Sequence, residues 1–105
     1  MEIRVIQGDI TKIKADAIIV NLFEGVERPS GATGAVDNAT QGIITRLIAE
    51  GEIKGKLNEV TMIHTLDKIE PARMVVVGLG KQGELTLDRV RGVTAEACRF
   101  LRKVR

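Results

Sequence analysis

The side chains suited to catalysis are few in this sequence of 105 residues, and they lie far apart along it. His64 is the one imidazole, and the nearest acidic residue in the sequence is Asp67, so a general base with a well-placed partner is not indicated. Cys98 is the one cysteine, and it lies beside the apolar stripe of a predicted helix. We predict an exposed or internally satisfied histidine at a strand end, a partly buried thiol and no metal site.

A glycine pattern follows the last apolar run of the chain. Gly78-x-Gly80-x-x-Gly83 matches a dinucleotide fingerprint by pattern alone. That site requires the first strand–helix unit and an acidic residue about 20 positions further on, where this chain has Lys103. We therefore interpret these glycines as a sharp turn off a buried strand.

The charge of the chain is nearly balanced, with 16 basic and 14 acidic residues and a net charge of +2. A net charge this small does not by itself indicate a nucleic acid or a membrane as a partner. Residues 89–105 nevertheless carry six basic residues against the single acid Glu96, which is typical of the solvated face of a helix. Contact with DNA is a minor alternative, through Arg89, Arg91, Arg99, Arg102 and Lys103.

Length and composition predict one domain over residues 1–105 with one hydrophobic core, since 44% of the residues are apolar. No apolar run approaches the roughly 18 residues of a membrane span. The N-terminus lacks the basic and apolar regions of a signal peptide, and a single cysteine excludes an internal disulfide. We expect a cytoplasmic protein.

Four segments have the apolar patterns of β-strands. Ile3–Gln7 is rich in β-branched residues, and Glu59–Thr65 alternates along its length. Asp16–Phe23 and Met74–Val77 carry continuous apolar runs, which are typical of strands buried on both faces. Alternation of such strands with helices predicts an α/β fold with helices packed on a buried sheet.

Two helices are predicted, one between the second and third of these strands and one after the fourth. The first begins at Thr33 or Gly34 and ends at Gly51, before a polar loop over residues 51–58. Its stripe is Val36, Ala39, Ile43, Ile44, Leu47 and Ile48. The last helix has Thr86 as its N-cap. The stripe predicted for it is Leu87, Val90, Thr94, Ala97, Leu101 and Val104.

Four motifs in order resemble the N-terminal domain of leucyl aminopeptidases, peptidase family M17. A helix runs into the loop GEIKGK at residues 51–56, and a strand and turn follow it. The strand end VGLGK at residues 77–81 precedes the helix start LTLDRVR at residues 85–91. The resemblance implies a macro-like, non-catalytic domain that contributes to assembly and regulation. It also implies a separate catalytic domain with two zinc or manganese ions, whose ligands and signature motif are absent from these residues.

A second resemblance covers the first 42 residues, where GDIT at residues 8–11 and GATGAV at residues 31–36 are similar to ADP-ribose-binding macro domains. Its implied ligand contacts are Asp9, Asn21, Gly31, Gly34, Gly78 and Gly80. An acid can accept from an adenine amino group, and glycines let backbone N–H groups approach a diphosphate. After Asn21, however, Leu22-Phe23-Glu24 replaces the Ala-Ala-Asn of binders. A shared fold that has lost its ligand is therefore the simpler expectation.

These inferences lead to a three-layer α/β domain with a macro-like mixed sheet. We predict a non-catalytic role in assembly with its own catalytic domain and with neighbouring protomers, and no cofactor in this chain. An ADP-ribose or nucleotide-binding module is the alternative. Because the sheet is expected to have an open edge, which invites pairing with another chain, we also predict a homo-oligomer.

Overall fold

The computed structural model describes residues 3–5 and 16–103. Its four strands form one sheet in the order β1-β2-β4-β3, in which β1 pairs parallel with β2, β2 parallel with β4, and β3 antiparallel with β4. The strands are β1 (Ile3–Val5), β2 (Ala17–Phe23), β3 (Val60–His64) and β4 (Arg73–Gly80). The predicted mixed sheet is confirmed. The end of the first predicted strand, at residues 6 and 7, lies outside the described residues.

Burial on both faces explains why β2 and β4 occupy the centre of the sheet. Ile18 and Val76 belong to a cluster on one face, and Ile19 and Val75 belong to a cluster on the other. Side chains alternate across a strand, so only a continuous apolar run can supply both clusters at once. The two runs identified in the sequence are these central strands.

Three α-helices cover the two faces: α1 (Gly31–Ala39), α2 (Ile43–Ala49) and α3 (Leu87–Lys103). The first two pack on one face, where Val36 and Ile44 join the cluster of Ile18, and α3 packs on the other through Ala97 and Leu101. The α/β class is therefore confirmed, with helix, sheet and helix layers in the described part of the chain. None of the helices described there combines the length and apolar character that crossing a membrane requires.

The prediction of one continuous helix up to Gly51 is wrong. The chain leaves the helical conformation between α1 and α2, where Gln41 and Gly42 have φ of 64° and 77°. Asp37 stabilises the break, because its carboxylate accepts hydrogen bonds from the N–H groups of Ile44 (2.8 Å) and Thr45 (3.0 Å) at the start of α2. The apolar residues keep their helical spacing across the break, so the sequence pattern does not reveal that the helix is interrupted.

The start of α3 also departs from its predicted stripe. Thr86 is confirmed as the cap, since its Oγ1 accepts a hydrogen bond from the N–H of Arg89 (3.2 Å). Leu87, however, is 64% exposed, whereas Val93 is buried and had no place in the stripe. The first turn of α3 therefore extends beyond the sheet, and its apolar face is centred on Val93, Ala97 and Leu101. Val104 lies outside the described residues.

Candidate functional site

A cleft of about 940 Å³ opens at the carboxyl ends of the parallel strands β2 and β4. Ligands bind preferentially at this end of open α/β sheets. The strands contribute Asn21, Phe23 and Leu79 to the lining, and the segment that begins α1 contributes Ser30 and Gly31. Leu85 and Val90, before and within α3, complete a mainly apolar wall.

One side-chain hydrogen bond fixes the start of α1 against β2. The hydroxyl of Thr33, which is buried, donates to the backbone oxygen of Asn21 over 2.8 Å. Ser30, the residue before α1, makes no side-chain capping bond. Its hydroxyl therefore does not cap the N–H groups in the first turn of the helix. Gly31 has φ of 61° with open space where a Cβ would stand. This geometry can present backbone donors to an anionic or polar group.

The structure brings two of the predicted ligand contacts together. Asn21 and Gly31 line the same cleft, and both are exposed. Gly34 lines a different hollow, of about 450 Å³, and a Cβ there would lie 2.8 Å from the oxygen of Pro29. Asp9 lies outside the described residues.

Gly78 and Gly80 are engaged with the chain itself. The N–H of Gly78 donates to the oxygen of Glu59 (2.8 Å), and the N–H of Gly80 donates to the oxygen of Gly55 (2.9 Å). A Cβ on Gly78 would lie only 1.9 Å from the backbone oxygen of Lys56. These two N–H groups are therefore not available to a phosphate in this conformation, and the glycines permit close packing of residues 55–57. We call this packing the glycine contact.

Glu59 organises the same loop, a role that sequence reasoning missed. Its Oε1 accepts from the N–H groups of Lys54 and Gly55, each at 2.9 Å. The sequence predicts a polar loop over residues 51–58, yet Ile53 is buried in the core. Ile53 and Leu57 are the two apolar residues of this loop, which are too few to give a periodic signal. The GEIKGK motif thus packs a loop over the end of β4.

The remaining predicted residues are placed without a common centre. His64 is exposed at the end of β3, and Cys98 is half-buried on α3 as a free thiol. In the described part of the chain, no group of three or more His, Cys, Asp or Glu could hold a metal ion. Arg99 forms an ion pair with Glu96 on the exposed face of α3. Other basic residues are exposed on that helix, namely Arg91, Arg102 and Lys103, whereas Arg89 is half-buried.

Four leucines remain exposed. Leu85, which is 38% exposed, lines the cleft, and Leu87, which is 64% exposed, follows two residues later at the start of α3. Leu57 (38%) lies over Gly80, and Leu66 (75%) lies at the turn between β3 and β4, at the opposite end of the sheet. Exposed apolar groups that cluster together mark interaction surfaces.

Comparison with known proteins agrees with the placement of these motifs. Residues 19–105 match the model of the cytosol aminopeptidase family, N-terminal domain. The chain is 37% identical over 102 residues to a probable cytosol aminopeptidase of Geobacter sulfurreducens, covering 97% of this chain and 21% of that protein. It is 34% identical over 99 residues to one of Alkaliphilus oremlandii, covering 94% and 20%.

The chain thus spans about a fifth of the length of the curated relatives that it matches. Its loop GEIKGK, the strand end VGLGK and the capped start of α3 all fall within the matched region. This chain belongs to the cytosol aminopeptidase family, as a form of that family's N-terminal domain.

Proposed function

We propose that this chain is a non-catalytic assembly domain of a cytosolic aminopeptidase of family M17. In this role it docks on the catalytic part of the enzyme and on neighbouring protomers. The observation that carries the proposal is the mainly apolar cleft with Leu85 in its wall and the exposed Leu87 two residues further along the chain. Its occupant would come from the four-fifths of the relatives' length that this chain does not cover.

The chemistry of the described residues supports a docking role better than a hydrolytic one. Peptide hydrolysis by a two-metal site needs several carboxylate or imidazole ligands in one place, and the described residues supply no such group. We therefore assign the family's zinc or manganese ions to the catalytic part. The polar groups near the cleft, Asn21 and the start of α1, hydrogen-bond within the fold or face solvent.

A chimera tests this function directly. This chain replaces the matching 102 residues of the Geobacter sulfurreducens relative, and calorimetry follows its thermal unfolding. We expect a single cooperative transition, because docked domains unfold together. Leu87→Lys should separate it into two transitions, since a charge at this surface opposes burial.

The matched control is Leu66→Lys, which introduces the same charge at an exposed leucine at the opposite end of the sheet. It should leave the single transition unchanged. Two independent transitions in the unaltered chimera would contradict the docking role. Equal effects of both lysines would contradict the assignment of the surface.

A second function is supported by one observation, the shared position of Asn21 and Gly31 in the cleft. A binding module for ADP-ribose or a related nucleotide could use the amide of Asn21 and the N–H groups at the start of α1. The glycine contact weakens this candidate, because it occupies the N–H groups of Gly78 and Gly80.

Calorimetric titration of the 105-residue chain with ADP-ribose separates the two functions. A nucleotide module gives saturable heat that is lost in Asn21→Ala and in Asp9→Ala. Gln41→Ala, at an exposed position outside the cleft lining, is the control and should bind normally. No heat up to millimolar ligand would eliminate the nucleotide function and leave the assembly role as the proposed function.

A further inference from the structure

A second hollow, of about 450 Å³, is enclosed by the segment before α1, by α1 itself and by α2. Among the described residues, Pro29 alone lines both this hollow and the cleft. Its volume falls within the range of about 300–1,000 Å³ that small-molecule sites occupy. The polar part of its lining comprises Arg28, Asp37, Asn38, Thr45 and Arg46. We call it the arginine hollow.

Close packing of the preceding loop on α1 brings the two arginines to the same hollow. A Cβ on Gly34 would lie 2.8 Å from the oxygen of Pro29, so glycine lets the loop approach the helix. Arg28 directly precedes Pro29 in the chain, and Arg46 lies within α2. Two guanidinium groups from separate segments therefore border one concave surface.

The positive charge of these arginines is poorly balanced within the fold. In the part of the chain that the structure describes, the side chain of Arg28 has neither an ion pair nor a hydrogen bond. Arg46 meets Glu50 at 3.5 Å between Nε and Oε1, but these side chains are 79% and 52% exposed. Such an exposed pair contributes little, and it leaves the outer N–H groups of the guanidinium available to a ligand.

Asp37 does not supply the missing counter-charge, because its carboxylate is engaged by α2. Oδ1 accepts the N–H groups of Ile44 and Thr45, and Oδ2 accepts the hydroxyl of Thr45 over 2.5 Å. The same bonds occupy the backbone donors at the start of α2, so a ligand in the hollow must be bound by side chains. Asp37 is buried and both arginines are exposed, which favours an anion at the outer rim, away from the carboxylate.

We propose that the arginine hollow binds a phosphate group, free or as the monoester of a small molecule, between Arg28 and Arg46. The exposed amide of Asn38 is the third donor. A guanidinium fork matches phosphate oxygens and donates two parallel hydrogen bonds to them. A phosphate monoester carries a charge of about −1.5 to −2 at pH 7, which two guanidinium groups balance, whereas a carboxylate would balance only one. This site lies outside the docking surface of the proposed function and does not depend on it.

Two-dimensional NMR of the ¹⁵N-labelled chain tests the site, with inorganic phosphate as the probe at physiological chloride concentration. We expect saturable shifts of the amides of Gly34, Asn38 and Thr45, which line the hollow. The amides of Asn21 and Gly31, which line the cleft, should not shift.

Arg28→Gln and Arg46→Gln should each weaken phosphate binding about tenfold, because each removes charge-assisted hydrogen bonds. Arg46→Lys keeps the charge but loses the planar fork, so it should bind more weakly than the unaltered chain and more tightly than Arg46→Gln. The matched control is Arg91→Gln, which removes the same charge from an exposed arginine of α3, on the other face of the sheet. It should bind phosphate as the unaltered chain does.

Two results would overturn the proposal. One is the absence of saturable shifts up to about 10 mM phosphate. The other is equal weakening by Arg28→Gln and Arg91→Gln, which would indicate attraction by net charge alone.

Glycerol 3-phosphate distinguishes the two sources of the phosphate group. Tighter binding than that of inorganic phosphate would identify a phosphorylated small molecule as the ligand, and equal or weaker binding would identify free phosphate. Either result, with loss of binding in Arg28→Gln, supports the arginine hollow as the site. The unfolding transitions of the chimera test the docking role by a different measurement, so failure of one proposal is distinguishable from failure of the other.

Discussion

The glycine contact and the cleft lie at the same end of the sheet, yet the glycines in them meet different surroundings. In the glycine contact, Gly78 lies so close to the backbone of Lys56 that no other side chain fits. At the cleft, a Cβ on Gly31 would meet only open space, and its φ of 61° is what favours glycine there. Glycine thus permits close packing at one place and an unusual backbone conformation at the other.

The two regions also differ in the bonds that hold them. Two strand-to-loop backbone bonds hold the glycine contact, including that from the N–H of Gly80 to the oxygen of Gly55, and the Glu59 carboxylate supports the loop by accepting the N–H of Gly55. Beside the cleft, a side chain holds the start of α1, through the hydroxyl of Thr33 that donates to the backbone oxygen of Asn21. The region with satisfied backbone groups and no space is structural, and the region with exposed groups and space is the one that we propose as the binding surface.

The largest effect is expected from adding one methyl group to the glycine contact. Gly78→Ala places a Cβ 1.9 Å from the oxygen of Lys56, so the loop must move away from β4. We expect a loss of about 3 kcal/mol in the free energy of unfolding and a decrease in Tm of roughly 15 °C. Urea denaturation measures the first and calorimetry the second.

Gly83→Ala is the control for this prediction, because a Cβ there meets nothing within 4 Å and φ is not positive. Its stability should stay close to that of the unaltered chain. If Gly78→Ala were equally stable, close packing would not explain that glycine, and the difference between the two regions would disappear.

A smaller loss is expected when the side-chain bonds that join α1 to α2 are removed. Asp37→Ala leaves the N–H groups of Ile44 and Thr45 without their acceptor, so the start of α2 loses its cap. We expect about 2 kcal/mol less stability in urea denaturation. Asp37→Asn keeps an oxygen in the same place and should lose less. Equal losses would show that the carboxylate charge, and not its acceptor geometry, stabilises the joint.

The smallest effect is expected at the open end of α1. Gly31→Ala meets no neighbouring atom and is disfavoured only by the left-handed backbone, so we expect a loss of about 1 kcal/mol. Gly31→Asn should lose less, because asparagine tolerates this conformation. Urea denaturation measures the free energy of unfolding of all three variants. A loss for Gly31→Ala as large as that for Gly78→Ala would show that the cleft is closed in solution.

The sequence predicts the central part of this fold because its apolar runs carry a strong physical signal. The runs in β2 and β4 can be buried only between two layers, and Thr86 before an amphipathic segment predicts the start of α3. The break between α1 and α2 has no comparable signal. Asp37 acts on residues seven and eight positions away, and only Gly42 marks the place locally.

The candidate site is predicted less completely, for a reason that the glycines illustrate. A glycine permits the close approach of a ligand and of another backbone segment equally well. The pattern at residues 78–83 therefore does not reveal that Lys56 fills the space beside Gly78. Asn21, by contrast, lies near the end of the buried strand β2, and Gly31 begins the helix that follows it, which places both at the carboxyl end of the sheet.

The parallel pairing of β2 with β4 has a consequence for how the chain folds. Ala17 pairs with Arg73, 56 positions further along, whereas β3 and β4 are joined by a short turn. Local contacts form before distant ones, since closing a long loop costs more entropy. We expect the β3–β4 hairpin to appear first and to expose the run of Met74–Val77 until β2 arrives. During that interval the chain is most prone to aggregate, and slow expression at low temperature should raise the yield of folded protein.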